Sequence, residues 1–79
     1  MRVLGEIPNQ DCKITIFSWN NRYILKFEKG FLEQTYKIDQ YDIADESDLK
    51  KIVDEKFIQK ALRLFEDMEY CLQTALQEL

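Results

Sequence analysis

The chain of 79 residues contains no histidine. Histidine is the commonest general base and the commonest metal ligand, so its absence removes every Ser–His or Cys–His arrangement. Two cysteines, Cys12 and Cys71, cannot build a standard structural zinc site without histidine. A glycine-rich phosphate loop and a dinucleotide fingerprint are also missing. The composition therefore predicts a non-enzymatic protein with no catalytic residue, no cofactor and no metal.

Proline and glycine are scarce as well, with one proline and two glycines. This leaves no room for a disordered linker, and we expect a single domain over residues 1–79. No segment approaches the roughly 20 apolar residues that span a membrane, and "MRVLGEIPNQ" lacks the apolar run of a signal peptide. We therefore expect a cytoplasmic protein whose cysteines are reduced thiols.

Charge is unevenly distributed along the chain. Residues 1–41 carry six Lys/Arg and five Asp/Glu, whereas residues 42–79 carry five and ten, which together give the net charge of −4. The acidic half should repel nucleic acid and anionic membranes. Any anion-binding site is therefore expected in the first half.

Three β-strands are predicted near residues 12–19, 22–29 and 31–38, because β-branched and aromatic residues alternate with polar ones there. Asn20-Asn21 tolerates the positive φ angles of a two-residue hairpin turn. A second turn centred on Lys29-Gly30 would pair Phe27 with Leu32. The result is an antiparallel meander.

The alternation divides the sheet into two faces. The predicted core face holds Ile14, Ile16, Ser18, Tyr23, Leu25, Phe27, Leu32, Gln34, Tyr36 and Ile38. The opposite face mixes apolar and charged residues: Lys13, Phe17, Trp19, Arg22, Ile24, Lys26, Glu28, Phe31, Glu33 and Lys37.

The apolar period changes after residue 45 from two to about 3.6, which predicts a short helix near residues 46–53 and a long one near 55–78. Asp54 can cap the second helix, although one continuous helix from Ser47 is also possible. A stripe with steps of three and four makes the long helix amphipathic: Ile58, Ala61, Phe65, Met68, Leu72, Ala75 and Leu79. The expected fold is α+β, with the long C-terminal helix packed on one sheet face.

That helix should be longer than the sheet can cover. Twenty-five helical residues span about 37 Å, but an eight-residue strand spans only about 27 Å. A homodimer is the expected partner arrangement, with five self-association residues: Phe65, Met68, Leu72, Leu76 and Leu79. Two alternatives stay open, namely a helix that bends so that its stripe is all core and a helix that packs on another protein.

The mixed sheet face is a second candidate surface. Its expected protein-binding residues are of types common at interfaces: Phe17, Trp19, Arg22, Ile24 and Phe31. Single-stranded nucleic acid is the alternative ligand, with bases stacked on the aromatic rings and phosphates bound by the lysines. The alternative for Trp19 is a local role, in which it only stacks on Arg22 across the turn. The apolar residues of this face should be shielded from water, either by residues 3–7 or by another molecule.

The run "IPNQDCKITIFSWNNRYILKFEKGFLEQTYKI", followed by "VDEKFIQKAL", resembles a family of small uncharacterised bacterial proteins. No activity is attached to that family, so the resemblance implies no catalytic or binding residue. It implies a bacterial, cytoplasmic setting.

Overall fold

Four antiparallel strands form one sheet in the order β1-β2-β3-β4, and the computed structural model describes all residues from 1 to 79. The strands are β1 (Arg2–Ile7), β2 (Lys13–Trp19), β3 (Arg22–Lys29) and β4 (Leu32–Asp39). A 3₁₀ turn (Gln40–Asp42) leads to the helices α1 (Ser47–Ile52) and α2 (Glu55–Gln77). The predicted α+β class, with an antiparallel sheet and a long C-terminal helix, is confirmed.

The prediction of three strands is wrong, because residues 2–7 form an additional edge strand beside β2. The register shifts between Val3 and Gly5, so Leu4 interrupts the alternation that would have revealed a strand. Pairing here satisfies backbone groups that β2 would otherwise leave open at the sheet edge. The segment therefore lies in the plane of the sheet and does not cover its mixed face.

The β2–β3 hairpin has the predicted register, with Phe17 opposite Ile24. Asn20 and Asn21 have φ angles of 52° and 61°, which are the left-handed conformations that a type I′ turn requires. The predicted register between β3 and β4 is wrong by two residues, since Phe27 lies opposite Gln34 and not Leu32.

The shift between β3 and β4 arises at the turn. Gly30, with a φ of 60°, occupies the first turn position and Phe31 the second, so the turn is Gly30-Phe31 and not Lys29-Gly30. A shift of two residues leaves every side chain on its predicted face. Lys26 and Glu33 form an ion pair at 3.6 Å, diagonally across the strands.

The core lies between one sheet face and the two helices. The buried apolar cluster comprises Cys12, Ile14, Ile16, Tyr23, Leu25, Phe27, Leu49, Val53, Ile58, Ala61 and Phe65. Gln34 is the polar link between the two layers. Its Nε2 donates to the carbonyl oxygen of Ala61 at 2.7 Å, and its Oε1 accepts from the hydroxyl of Tyr36 at 2.6 Å. The first hydrogen bond fixes the position of α2 over β4, and the second, within β4, orients the Gln34 amide.

The two helices are separate, so the alternative of one continuous helix is excluded. Val53 and Asp54 leave helical geometry, with ψ angles of 65° and 179°. The Asp54 carboxylate accepts a hydrogen bond from the backbone N–H of Phe57 at 2.9 Å, as an N-cap does. This break turns the chain so that α2 can cross the sheet.

Candidate interaction surfaces

The C-terminal part of α2 extends beyond the sheet. Phe65 is the last buried residue of the chain, and we call residues 66–79 the overhang. The 23 residues of α2 span about 34 Å, and the molecule measures 46 × 25 × 18 Å. Its Cα radius of gyration is 14.2 Å, against about 12 Å for a compact chain of this length. The overhang accounts for this elongation.

Apolar side chains continue along the overhang without a cover. Met68 is half-buried, but Leu72, Leu76 and Leu79 have exposed fractions of 43%, 50% and 100%. These residues extend the stripe that Ile58 and Phe65 bury against the sheet. The apolar spacing of α2 thus continues beyond the end of the core.

Two shallow grooves border Leu72. One, of about 570 Å³, runs along the side of the helix and is lined by Leu32, Leu64, Asp67, Met68, Cys71, Leu72 and Ala75. The other, of about 220 Å³, lies between the β3–β4 turn and α2, and we call it the turn groove. It is lined by Lys29, Gly30, Phe31, Leu32, Phe65, Glu66, Glu69, Leu72 and Gln73. Leu32 and Leu72 belong to both grooves, so the apolar surface continues from the sheet end onto the helix.

Phe31 is fully exposed at the tip of the β3–β4 turn. The type II′-like turn requires only the glycine before it, so turn geometry does not explain an aromatic residue at this position. Sequence reasoning assigned Phe31 to the same face as Trp19. The structure separates them, because Trp19 precedes the β2–β3 turn and Phe31 lies in the β3–β4 turn, at opposite ends of β3.

Charge on the overhang has one sign. Residues 64–79 include Glu66, Asp67, Glu69 and Glu78 but no lysine or arginine. Lys29, which is exposed, lies at the turn groove close to the base of the overhang. The end of the sheet therefore offers a cation beside an acidic helix.

The second surface is the sheet face turned away from the helices, which we call the open face. Val3, Phe17, Ile24 and Lys37 lie in one row across the four strands. Ile24 is only 5% exposed and Phe17 is half-buried, whereas Trp19 is 48% exposed. Neighbouring side chains thus already cover much of the apolar area of this face.

Basic groups on the open face have acidic neighbours. Lys26 pairs with Glu33 at 3.6 Å, and Arg22 lies opposite Asp39 on β4 as well as opposite Trp19 on β2. The aromatic pairs of the structure join Phe27, Tyr36 and Phe57 in the core. Trp19 belongs to none of them.

The predicted site residues therefore divide into groups by position. Phe17, Trp19, Arg22 and Ile24 lie on the open face, while Phe31 lies beside the overhang. Of the predicted self-association residues, Phe65 is core and the three leucines are exposed. Leu64 and Cys71, which the helical spacing places at the side of the stripe, line the apolar surface around Leu72, whereas sequence reasoning missed the contribution of Leu32 to it. Gly30 is the feature of the sequence that could have located the turn at Gly30-Phe31.

The thiols differ in their surroundings. Cys12 is buried and Cys71 is exposed, and both are free. Burial raises the pKa of the Cys12 thiol, the charge of Asp11 raises it further, and Lys29 acts in the opposite direction. Cys71 is therefore the thiol open to reagents, and it lies beside Leu72 on the overhang.

Comparison with known proteins found no matching family model, no matching curated protein and no matching solved structure. None of the helices is long and apolar enough to cross a lipid bilayer. The functional interpretation therefore depends on the geometry described above.

Proposed function

We propose that the protein is a non-enzymatic interaction domain that forms a homodimer through the apolar stripe of the overhang. The observation that carries this proposal is the exposure of Leu72, Leu76 and Leu79 in continuous extension of the core stripe. Leaving a large apolar side chain in water costs about 1.5–3 kcal/mol relative to burying it. A second copy presents the same stripe, and a two-fold axis lets the two stripes cover each other.

The helix is a better self-association surface than the open face. Ile24 and Phe17 have little area left to bury, since they are buried and half-buried in a single copy. Leu79 is fully exposed and Leu76 is 50% exposed, so both have side-chain area that a partner can bury. The open face keeps exposed apolar area at Val3 and Trp19, but Arg22 and Asp39 follow Trp19 across the sheet. The exposed leucines of the overhang form one apolar stripe, which favours the overhang as the self-association surface.

A cytoplasmic location belongs to the same proposal. Both thiols are free, including the exposed Cys71. Free thiols are maintained in reducing compartments.

Light scattering over a dilution series tests the dimer with two variants. Leu72→Asp places a charge on the stripe, and Thr74→Asp places the same charge about 200° around the helix. We expect a dimer for the wild type and for Thr74→Asp, and a monomer for Leu72→Asp. A wild-type monomer at every concentration, or a dimer that tolerates Leu72→Asp, would contradict the proposal.

Single-stranded nucleic acid on the open face is the second candidate. It is supported by an uncovered groove of about 210 Å³ that is lined by Trp19, Phe17 and Lys37. Single strands are bound by aromatic rings that stack on the bases and by cations that contact the phosphates. The acidic neighbours of Lys26 and Arg22 weigh against it. Trp19 is the only tryptophan, so its fluorescence should change on addition of an oligonucleotide at low salt if this function exists. An unchanged signal would eliminate it.

A further inference from the structure

The turn groove adds a second contact to the proposed dimer. We infer that the two copies pair antiparallel, and that the turn groove of each copy receives the Leu76–Leu79 end of the partner's overhang. This inference rests on the proposed function, and it specifies which surface of the second copy is bound. Its basis is the position of the sheet, the length of the overhang and the exposure of Phe31.

The position of the sheet excludes parallel pairing. The stripe that would meet the partner is the same stripe that packs on the sheet at Ile58, Ala61 and Phe65. In a parallel pair both sheets would lie between the helices at the same end. Two stacked sheets need about 10 Å between them, and each sheet is further separated from its own helix by a layer of core side chains. The helices would therefore lie much farther apart than the about 8–10 Å of packed helices. Antiparallel pairing places the sheets at opposite ends and removes this conflict.

The length of the overhang then sets the register. From Phe65 to the end of α2 at Gln77 the helix rises about 18 Å. Leu79 follows two residues later, and Leu72 is midway in sequence between Phe65 and Leu79. When the two-fold axis passes near Leu72, Leu79 of the partner copy reaches the level of Phe65. The sheet begins at that level with Leu32, which lines the turn groove together with Phe65. A longer overlap would collide with the β3–β4 turn, and a shorter one would leave apolar stripe uncovered.

The turn groove fits a side chain better than a small molecule. Its volume of about 220 Å³ is below the roughly 300 Å³ at which sites for drug-sized ligands begin. Phe31 forms its outer wall and is fully exposed in a single copy. In the antiparallel dimer it would contact the partner's Leu79, which is also fully exposed.

One cation at the turn groove bears on the same arrangement. The C-terminal end of a helix carries a partial negative charge, and Glu78 adds to it on the overhang. Antiparallel pairing brings this acidic end to the partner's turn, where Lys29 lines the groove. The acidic helix end thus meets Lys29, but Glu66 and Glu69 line the same groove, so Lys29 offsets only part of the repulsion between carboxylates.

Cross-linking between copies tests this contact in the full chain. One variant carries Lys29→Cys and the other Glu78→Cys, both with Cys71→Ser and Cys12→Ala, because Cys12 lies beside position 29 and would compete for the new thiol. We expect a mixed disulfide when the two are combined and mildly oxidised. The control combination replaces Lys29→Cys with Lys37→Cys on the open face, and should give little product. A dimer by light scattering with no excess of the Lys29–Glu78 product overturns the inference but keeps the proposed function. A monomer overturns both.

A second measurement does not depend on cysteine chemistry. Phe31→Ser should raise the dimer dissociation constant roughly tenfold or more, which is the usual effect of truncating an aromatic interface anchor. Tyr41→Ser is the matched control, since Tyr41 is 93% exposed at the opposite end of the sheet. Equal dissociation constants for Phe31→Ser and the wild type would overturn the inference.

Discussion

Leu76→Ala is the substitution that separates dimer formation from folding most cleanly. Leu76 lies on the overhang beyond the last buried residue and is 50% exposed. Replacement by alanine removes three carbons, worth about 2.4 kcal/mol at about 0.8 kcal/mol per buried CH₂. About half of that, or about 1.2 kcal/mol per copy, remains to be gained on association. Both copies lose it, so the dissociation constant should rise by roughly 50-fold.

Sedimentation equilibrium at several loading concentrations measures this change directly. The control is Tyr70→Ala, because Tyr70 is 75% exposed and lies about 200° around the helix from Leu72. Alanine favours helix at both positions, so neither variant should lower the thermal stability of the single copy. An unchanged dissociation constant for Leu76→Ala, or an equal rise for Tyr70→Ala, would refute the assignment of the stripe to the interface.

Three further predictions concern the single copy. Gln34→Ala should lower the free energy of unfolding by about 1–3 kcal/mol in urea titrations, because the carbonyl of Ala61 on α2 loses its donor and the hydroxyl of Tyr36 loses its acceptor; an unchanged midpoint would show that these bonds contribute nothing. Gly30→Ala should cost about 1–2 kcal/mol, since the φ of 60° is unfavourable for a residue with a Cβ atom. Gly5→Ala, at a strand position with no atom within 4 Å of the added Cβ, should change stability by less than about 0.5 kcal/mol, and a similar loss in both variants would contradict the turn argument. Iodoacetamide should modify Cys71 well before Cys12, because the raised pKa keeps the buried thiol protonated. The same shift means that the folded state retains a proton which the unfolded state releases, so its contribution to stability is present below the ordinary thiol pKa and is lost as the pH rises through the raised value. Equal alkylation rates for the two thiols would contradict this description of Cys12.

Local patterns in the sequence were enough for several elements. Asn20-Asn21 predicted both the turn and the register of β2 with β3, because two residues that tolerate positive φ leave little choice of hairpin. Asp54 predicted the start of α2 through its capping side chain. The helical stripe was also readable, since a spacing of three and four specifies one face regardless of what covers it.

Other elements depended on long-range contacts. The strand β1 has an interrupted alternation, and only its pairing with β2 identifies it. The position of Phe31 beside the overhang required knowing which residues occupy the second turn and over which end of the sheet α2 projects. Both facts concern contacts between segments distant in the chain, and no local pattern reports them.

The sequence by itself thus determined the α+β class, the two faces of the central strands and the apolar stripe of α2, because each follows from side-chain periodicity within one segment. Only the tertiary structure decided how much of that stripe is used in the core. The burial of Phe65 and the exposure of Leu72, Leu76 and Leu79 follow from where the sheet ends under the helix. That boundary is a property of packed layers, and it is what separates the core of this protein from its proposed interface.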